Sequence, residues 1–137
     1  MNLFVYGTLL VPKIWEAVSG IPDAEGKAGS IAGYRIYRVR GGDFPGIKYT
    51  GGKENRVTGR VFHDLPERAI ERLDAYEDSF YERREVEVRL ADEKSTEAHA
   101  YVVPETLASD ILSTSPWSLT WFEEHALESY WTRLFES

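Results

Sequence analysis

The sequence has no cysteine and only three histidines among its 137 residues. Without cysteine, the chain has no disulfide bond, no thiolate nucleophile and no cysteine-based zinc site, so any covalent catalysis has to use another nucleophile. His63, His99 and His125 are far apart in the sequence and lack the spacing of metal ligands. We therefore predict that the protein has no metal site.

Long apolar runs and an excess of positive charge are absent as well. No apolar run approaches the roughly 20 residues that cross a membrane. The apolar stretch at residues 3–6 follows no basic segment and is far shorter than a signal-peptide core of about 7 to 15 residues. The net charge of -7 argues against binding to nucleic acid, which requires a basic face. We therefore predict a soluble, cytoplasmic protein with no nucleic-acid or membrane partner.

The length and the composition fit one globular domain. Apolar residues make up 42% of the chain and charged residues 28%, which is ordinary for a soluble protein. A chain of 137 residues buries most of the surface that it exposes when unfolded, which allows a closed core with a side pocket. No repeat, low-complexity tract or biased linker marks a boundary. We predict a single domain over residues 1–137.

The first part of the chain predicts a strand, a turn and a helix in succession. Residues 3–6 are strand-forming and run directly into a Gly-Thr turn at residues 7–8. Pro12 then begins a short helix that Gly20 ends. Backbone N–H groups are therefore expected to point into open space where the strand ends.

The middle of the chain predicts two strands that a bend separates. Residues 30–40 are rich in Tyr, Ile and Val, and they predict one strand with imperfect alternation. Residues 43–48 contain a Pro-Gly pair and predict a bend with two apolar side chains. Residues 57–62 predict the next strand.

The second half predicts two helices and two strands. Asp64 and Glu67 have the spacing of a capping box, which predicts a helix over residues 66–76. Residues 81–90 alternate strictly between apolar and charged and predict a half-buried strand, and residues 98–103 predict another. A C-terminal helix is predicted from apolar residues at every fourth position, namely Phe122, Ala126, Tyr130 and Leu134. About five strands and three helices without strict alternation predict an α+β domain.

Glu77 is the most unusual acidic residue of the chain. It follows Ile70 and Leu73 at the i, i+3, i+7 spacing, which predicts that it lies on the apolar stripe of its helix. A carboxylate at such a position is costly unless the function requires it. Together with the N–H groups of the first turn, it suggests a small proton-transfer enzyme. The structural alternative is a carboxylate at a frayed helix end that points into solvent.

Six short motifs follow one another along the chain. They are Y-G-T-L at residues 6–9, F-P-G at 44–46, V-x-G-R-V-F at 57–62, L-D-A-Y-E at 73–77, Y-x-R-x-x-V-x-V at 81–88, and Trp117 with the helix at 122–130. Each motif alone occurs in unrelated chains. The ordered set resembles the γ-glutamyl cyclotransferase-like family in its avirulence-induced-gene-like branch, and the resemblance covers nearly the whole chain.

This resemblance implies both a fold and a reaction. The fold is a small mixed β-barrel flanked by helices, with the turn at residues 6–9 and Glu77 facing one cavity. The reaction is the cyclisation of a γ-glutamyl amine or amide to 5-oxoproline with release of the free amine, and it needs no cofactor. Because the attacking amino group and the carbonyl belong to one molecule, holding the folded conformer contributes roughly 7–11 kcal/mol. Glu77 is implied as the general acid/base, with the N–H groups of residues 7–10 as donors to the anionic oxygens.

The resemblance also implies which residues bind the substrate. They are Tyr6, Gly7, Thr8, Leu9, Phe44, Pro45, Gly46 and Tyr81. Taken alone, Tyr6 also fits a core aromatic residue, residues 7–8 a plain turn and residues 44–46 a tight surface bend. Asp74 either supports the acid or is solvated, and Arg83 is either a surface residue or a support for the site.

Other functions stay open from the sequence. A ligand-binding domain keeps such a cavity without turnover, because a shared fold does not fix function. The γ-glutamyl group can also be transferred to a second amine. A Ser-His-Asp hydrolase is disfavoured, since no serine lies in a G-x-S-x-G motif. The expected partner is a small γ-glutamyl molecule whose amine is an amino acid, a polyamine, a lysine side chain or part of a natural product, and the expected state is a monomer or a weak homodimer.

Overall fold

A computed structural model of the chain describes residues 1–136. These residues form seven β-strands and five α-helices. The strands are β1 (Leu3–Val5), β2 (Lys27–Ala32), β3 (Tyr34–Arg38), β4 (Pro45–Tyr49), β5 (Arg56–Phe62), β6 (Glu82–Leu90) and β7 (Ser95–Val102). The helices are α1 (Pro12–Ser19), α2 (Glu67–Tyr76), α3 (Glu105–Ile111), α4 (Leu119–His125) and α5 (Leu127–Phe135), and short 3₁₀ turns lie at Thr8–Leu10 and Asp23–Glu25.

Five strands close into a barrel in the order β1-β5-β2-β6-β7. All neighbouring pairs are antiparallel except β1 and β7, which pair in parallel where Leu3 faces His99. Strands β3 and β4 form a separate antiparallel sheet. The predicted α+β fold with a small mixed barrel flanked by helices is therefore confirmed.

The inward faces of the barrel strands form an apolar core. In β6, Val86 and Val88 are buried whereas the charged residues between and beside them are exposed, as the alternation predicts. Small residues of β7, Ala98 and Ala100, face them and are almost completely buried. Alternating large and small side chains fill a narrow barrel without voids.

The space between the barrel and the helices holds a second core. Helix α1 begins at Pro12 and is ended by Gly20 in the left-handed conformation (φ 75°), as predicted. Its Trp15 is fully buried and stacks on Phe62 of β5, with ring centroids 3.8 Å apart. Leu73 of α2 is fully buried in the same cluster, so the outward face of the barrel fixes both helices.

Two predictions for the middle of the chain are wrong. The predicted strand at residues 30–40 is divided into β2 and β3 by Gly33, whose φ of 88° suits glycine and breaks the extended run. The predicted bend includes Pro45 and Gly46, but these residues begin β4. Proline is tolerated there because it is the first residue of a strand.

The helix boundaries also differ from the predictions. Asp64 does not cap α2: it has a φ of 55°, the N-cap is Pro66, and no side chain caps that helix. The predicted C-terminal helix is divided at Ala126 into α4 and α5, and α3 was not predicted. The every-fourth spacing continues across the break because Phe122, Ala126 and Tyr130 are all buried against the same core.

No helix within residues 1–136 combines the length and the apolar character needed to cross a membrane.

Candidate active site

The chain topology brings three segments together at one end of the barrel. Strands β1 and β7 are parallel, so both end there, and β6 begins there because it is antiparallel to β7. The turn after β1, the segment between α2 and β6, and the start of β4 surround a cavity of about 50 Å³. This volume holds a few water molecules and opens to the surface.

Most of the predicted site residues line this cavity. They are Tyr6, Gly7, Thr8, Leu9, Phe44, Pro45, Glu77 and Tyr81. Gly46 does not line it: a methyl group on Gly46 would lie 2.7 Å from Val103 Cγ2 and 2.9 Å from Leu112 Cδ2, so this glycine allows β4 to pack closely on its neighbours. The roles of these residues in substrate binding stay predictions.

The turn after β1 supplies backbone donors at the cavity. The N–H of Leu10 donates to Gly7 O (2.9 Å), so this predicted donor is already used. The N–H groups of Gly7, Thr8 and Leu9 precede the first hydrogen bond of the 3₁₀ turn and have no partner within it. Three of the four predicted N–H groups therefore stay available as backbone donors of the turn.

Contacts between the turn and β4 fix the position of both. A methyl group on Gly7 would lie 2.8 Å from Pro45 Cγ, so only glycine permits this close approach. The Tyr81 hydroxyl donates to the Pro45 carbonyl oxygen (2.5 Å) and holds the start of β4 from the other side. Burial raises the pKa of Tyr81, which keeps this donor protonated.

Glu77 reaches the cavity by a route that the helical pattern did not predict. Helix α2 ends at Tyr76, and Glu77 is its C-cap with extended backbone angles (φ -79°, ψ 147°). The prediction that Glu77 lies on the apolar stripe of the helix is therefore wrong. Its backbone N–H donates to Leu73 O (3.2 Å), whereas its carboxyl group has no hydrogen bond or ion pair with any of residues 1–136.

The surroundings of Glu77 favour the protonated carboxyl group. Burial, followed by the negative charges of Asp78 and Asp74, raises the pKa of Glu77 from its ordinary value of 4.5 to about 8. Part of the residue is accessible, but the carboxyl group is desolvated by the side chains around it. Near neutral pH this group is able both to donate and to accept a proton.

Tyrosine hydroxyls line the same cavity, and the sequence analysis assigned several of them no role. Tyr76 contacts Thr8 Oγ1 (2.7 Å) and forms a short hydrogen bond with Tyr130 of α5. The Tyr6 hydroxyl donates to the carbonyl oxygen of Tyr101 (2.6 Å). Burial raises the pKa of all four tyrosines, so they are neutral donors. The every-fourth spacing located Tyr130 on a buried helix face, but that pattern does not separate core residues from cavity residues.

A second cavity of about 250 Å³ adjoins the first and is also lined by Glu77. It shares Glu77, Asp78, Tyr81 and Tyr101 with the first cavity. Because both cavities include this acid, a ligand that occupies both would contact Glu77.

Asp74 and Arg83 form an ordered pair in the second cavity. Asp74 Oδ1 accepts from the Tyr101 hydroxyl (2.7 Å) and from Arg83 Nε (3.0 Å). Asp74 is thus partly exposed but hydrogen-bonded, and Arg83 is committed to it. Asp78 is exposed, and its carboxylate has no ion pair with residues 1–136. The charge that stays available in this cavity is therefore the negative charge of Asp78.

Within residues 1–136, no group of three or more His, Cys, Asp or Glu side chains is placed to hold a metal ion.

Comparison of the sequence with known proteins gives two related matches. The family model for "Gamma-glutamyl cyclotransferase, AIG2-like" matches residues 3–119. AIG2-like protein C of Arabidopsis thaliana is 32% identical over 92 residues, which are 66% of this chain and 51% of that protein. The match thus spans about half the length of this curated relative.

Comparison of the structure finds the same architecture in solved proteins. A solution structure of an Arabidopsis thaliana protein aligns with a TM-score of 0.70 and 22% identity, covering 98% of this chain and 79% of that chain. The crystal structure of a yeast γ-glutamyl cyclotransferase specific to glutathione aligns with a TM-score of 0.58 and 14% identity, covering 76% and 69%. At these identities the likeness shows a shared fold.

Proposed function

This chain belongs to the AIG2-like γ-glutamyl cyclotransferase family, and from that premise we propose that it cyclises a γ-glutamyl amine or amide to 5-oxoproline and releases the free amine. The observation that carries the proposal is Glu77. Its carboxyl group is desolvated, has no partner among residues 1–136 and borders two cavities at once. Burying such an unpaired acid lowers the stability of the folded protein, and acids of this kind are typical of catalytic positions.

The proposed reaction forms one C–N bond and breaks another. The α-amino nitrogen of the glutamyl group attacks its own γ-carbonyl carbon, and the new C–N bond closes the five-membered ring. The bond from that carbon to the leaving nitrogen then breaks. The attacking nitrogen starts as an ammonium group and ends as the ring N–H, so it loses two protons. Glu77 accepts them in turn and returns one to the leaving nitrogen, and the other passes to solvent. The reaction requires no metal or cofactor.

The pKa of Glu77 suits both proton transfers. A value of about 8 is close to working pH, where one group exchanges protons in both directions most efficiently. The substrate's ammonium group lowers this pKa on binding, because a nearby positive charge favours the carboxylate. Substrate binding therefore increases the fraction of Glu77 in the basic form, which accepts the proton of the ammonium group.

The first cavity provides donors for the oxygens of the substrate. We assign the N–H groups of Thr8 and Leu9 to the α-carboxylate or to the charge that develops on the γ-carbonyl oxygen. The neutral hydroxyl groups of the tyrosines add further donors at the cavity. Closing the ring within this cavity uses the proximity of two groups that already belong to one molecule.

We assign the leaving amine to the second cavity, since Glu77 lines both cavities. Arg83 is neutralised by Asp74 there, whereas Asp78 has no cationic partner within residues 1–136. We therefore expect amines with a second positive charge, such as a diamine or a lysine side chain, to react better than amines with a carboxylate.

The test is detection of 5-oxoproline by mass spectrometry. The purified protein is incubated with γ-glutamyl derivatives of a diamine, a neutral alkylamine and α-amino acids, with Glu77→Gln as the control. We expect 5-oxoproline with the wild-type protein and the highest kcat/KM with the diamine. Binding of these compounds without product would favour a non-catalytic ligand-binding domain. Transfer of the γ-glutamyl group to a second amine would favour an acyltransferase, and equal product from Glu77→Gln would overturn the role of this acid.

A further inference from the structure

We infer that Tyr130 is a positioning residue of the candidate site, whose hydroxyl group, together with that of Tyr76, holds Thr8 and its turn in place at the cavity. Tyr130 belongs to α5, beyond residues 3–119 that the family model matches. The C-terminal helices would then complete the site rather than only cover the core. The hydrogen-exchange arm of the test is independent of the proposed function, and the activity arm rests on it.

Three hydroxyl groups form a continuous chain from α5 to the turn. The Tyr130 and Tyr76 hydroxyls form a short hydrogen bond, and Tyr76 lies 2.7 Å from Thr8 Oγ1. All three residues line the first cavity together with Glu77. Thr8 itself is 6% exposed, so its hydroxyl group needs a partner inside the protein.

The Tyr130 ring is held by packing, which gives its hydroxyl group a defined position. Tyr130 is 5% exposed, and its ring meets Phe122 of α4 edge to face at 5.2 Å and 79°. Phe122 is fully buried. The backbone N–H of Tyr130 donates to Ala126 O (2.9 Å), where α4 meets α5. The start of α5 and the packing of the ring therefore fix the position of the Tyr130 hydroxyl group beside Tyr76.

The proton count leaves one proton that a ligand oxygen can accept. Three hydroxyl groups carry three protons, and the hydrogen bonds of Tyr76 with Thr8 and with Tyr130 use two. Thr8 is also a hydrogen-bonding partner of Tyr130, so the third proton serves either that contact or an acceptor on a ligand. Burial raises the pKa of Tyr76 and Tyr130, so the chain stays fully protonated at working pH. A carboxylate or carbonyl oxygen of a ligand is the kind of acceptor that it fits.

The first arm of the test measures the turn directly. Tyr130→Phe removes one oxygen and keeps the ring packed on Phe122, and Tyr34→Phe is the control because it changes a buried tyrosine outside the cavity. Hydrogen exchange is followed at the Leu10 and Val11 amides, whose hydrogen bonds to Gly7 O and Thr8 O close the turn. We expect about tenfold faster exchange in Tyr130→Phe and no change in the control. Unchanged exchange in Tyr130→Phe would overturn the inference.

The second arm measures catalysis and separates positioning from damage. We expect Tyr130→Phe to lower kcat/KM for 5-oxoproline formation by about tenfold without moving the midpoint of its pH profile, because Tyr130 is not among the causes of the raised pKa of Glu77. A midpoint that falls towards the ordinary carboxyl value would mean that water has entered the cavity, which contradicts the inference. If no compound gives 5-oxoproline, the proposed function fails, and the exchange arm still decides the role of Tyr130.

A double variant tests whether the hydroxyl groups act as one unit. Thr8→Val removes the other end of the chain. If the three hydroxyl groups act as one unit, Tyr130→Phe combined with Thr8→Val accelerates exchange no more than the single variant with the larger effect. If the double variant instead accelerates exchange by the product of the two single effects, the two hydroxyl groups act independently, and the inference is overturned.

Discussion

The barrel interior and the cavity at its end are both buried, but they are built from different groups. The interior contains fully buried aliphatic residues such as Val88, Ala100 and Val102, and dispersion and the hydrophobic effect stabilise it. The cavity contains hydroxyl groups and the carboxyl group of Glu77, which lose hydration when the chain folds. Burial therefore stabilises the barrel interior, whereas it destabilises the polar groups of the cavity.

The loss of hydration in the cavity is tolerated because the cavity residues are carried by rigid elements of the barrel and its helices. The turn follows directly from β1, Tyr101 belongs to β7, and Glu77 is tied to the end of α2 by its N–H bond to Leu73 O. Functional side chains on rigid elements keep their geometry without contributing to stability themselves. We therefore expect changes in the two regions to affect different measurements.

The largest expected effect comes from Glu77→Gln, which should change activity and stability in opposite directions. We expect turnover to fall by about 100-fold or more, because an amide cannot exchange a proton. The raised pKa means that the folded wild-type protein binds more protons than the unfolded chain between about pH 4.5 and 8, so its stability falls as pH rises through this interval. Glu77→Gln escapes this loss and should be more stable by on the order of a few kcal/mol at pH 9.

Thermal unfolding of both proteins between pH 4 and pH 9 checks the stability part. The difference in Tm should be small at pH 4, where Glu77 is mostly protonated in both the folded and the unfolded protein. It should grow until about pH 8. A difference that does not depend on pH would contradict the cost that we assign to the buried carboxyl group.

The next largest effect is expected from Gly7→Ala. The added methyl group would meet Pro45 Cγ at 2.8 Å, so the turn or β4 has to shift. We expect kcat/KM to fall by about tenfold, because small displacements of donors weaken the stabilisation of the transition state. Pro45→Ala removes the clashing atom, and the double variant should recover part of the loss. No recovery would mean that this contact is not what makes glycine necessary.

A smaller effect, on stability alone, is expected in the barrel interior. Ile31 of β2 is 1% exposed and packs in the interior cluster. Ile31→Val deletes one methylene, which destabilises the folded state by about 0.5–1.5 kcal/mol. Denaturant unfolding measures this change, and kcat at low temperature should equal the wild-type value. A lower kcat would show that the two regions are coupled and would break the comparison.

The sequence predicts the barrel better than it predicts the cavity. Strict alternation in β6 identifies Val86 and Val88 as inward residues, because a strand with one buried face has only this pattern. Helix α1 is equally clear from Pro12 and Gly20. These are local patterns, and the structure confirms them.

The geometry of the cavity depends on long-range contacts that no local pattern contains. Helical spacing singles out Glu77, but Glu77 reaches the cavity because helix α2 ends at Tyr76 and the backbone of Glu77 is extended. Asp64 has the right spacing for a cap, yet its backbone angle excludes that role. Tyr101 and Tyr130 arrive from elements distant in sequence, so their hydroxyl groups become part of the site only through the closed barrel and the packing of α5.

The smallest expected effect comes from Asp78→Asn, which tests how the environment of the acid is divided. Burial is the largest cause of the raised pKa of Glu77, and the charge of Asp78 is the next. Removing that charge should lower the midpoint of the kcat/KM pH profile by less than about one pH unit, since desolvation is unchanged. Asp110→Asn makes the same change of net charge on the exposed surface of α3 and should leave the midpoint in place. Because Asp78 is exposed, the shift should shrink in about 1 M salt. A shift down to the value of an ordinary carboxyl group would mean that charge, not burial, distinguishes this cavity from the rest of the buried protein.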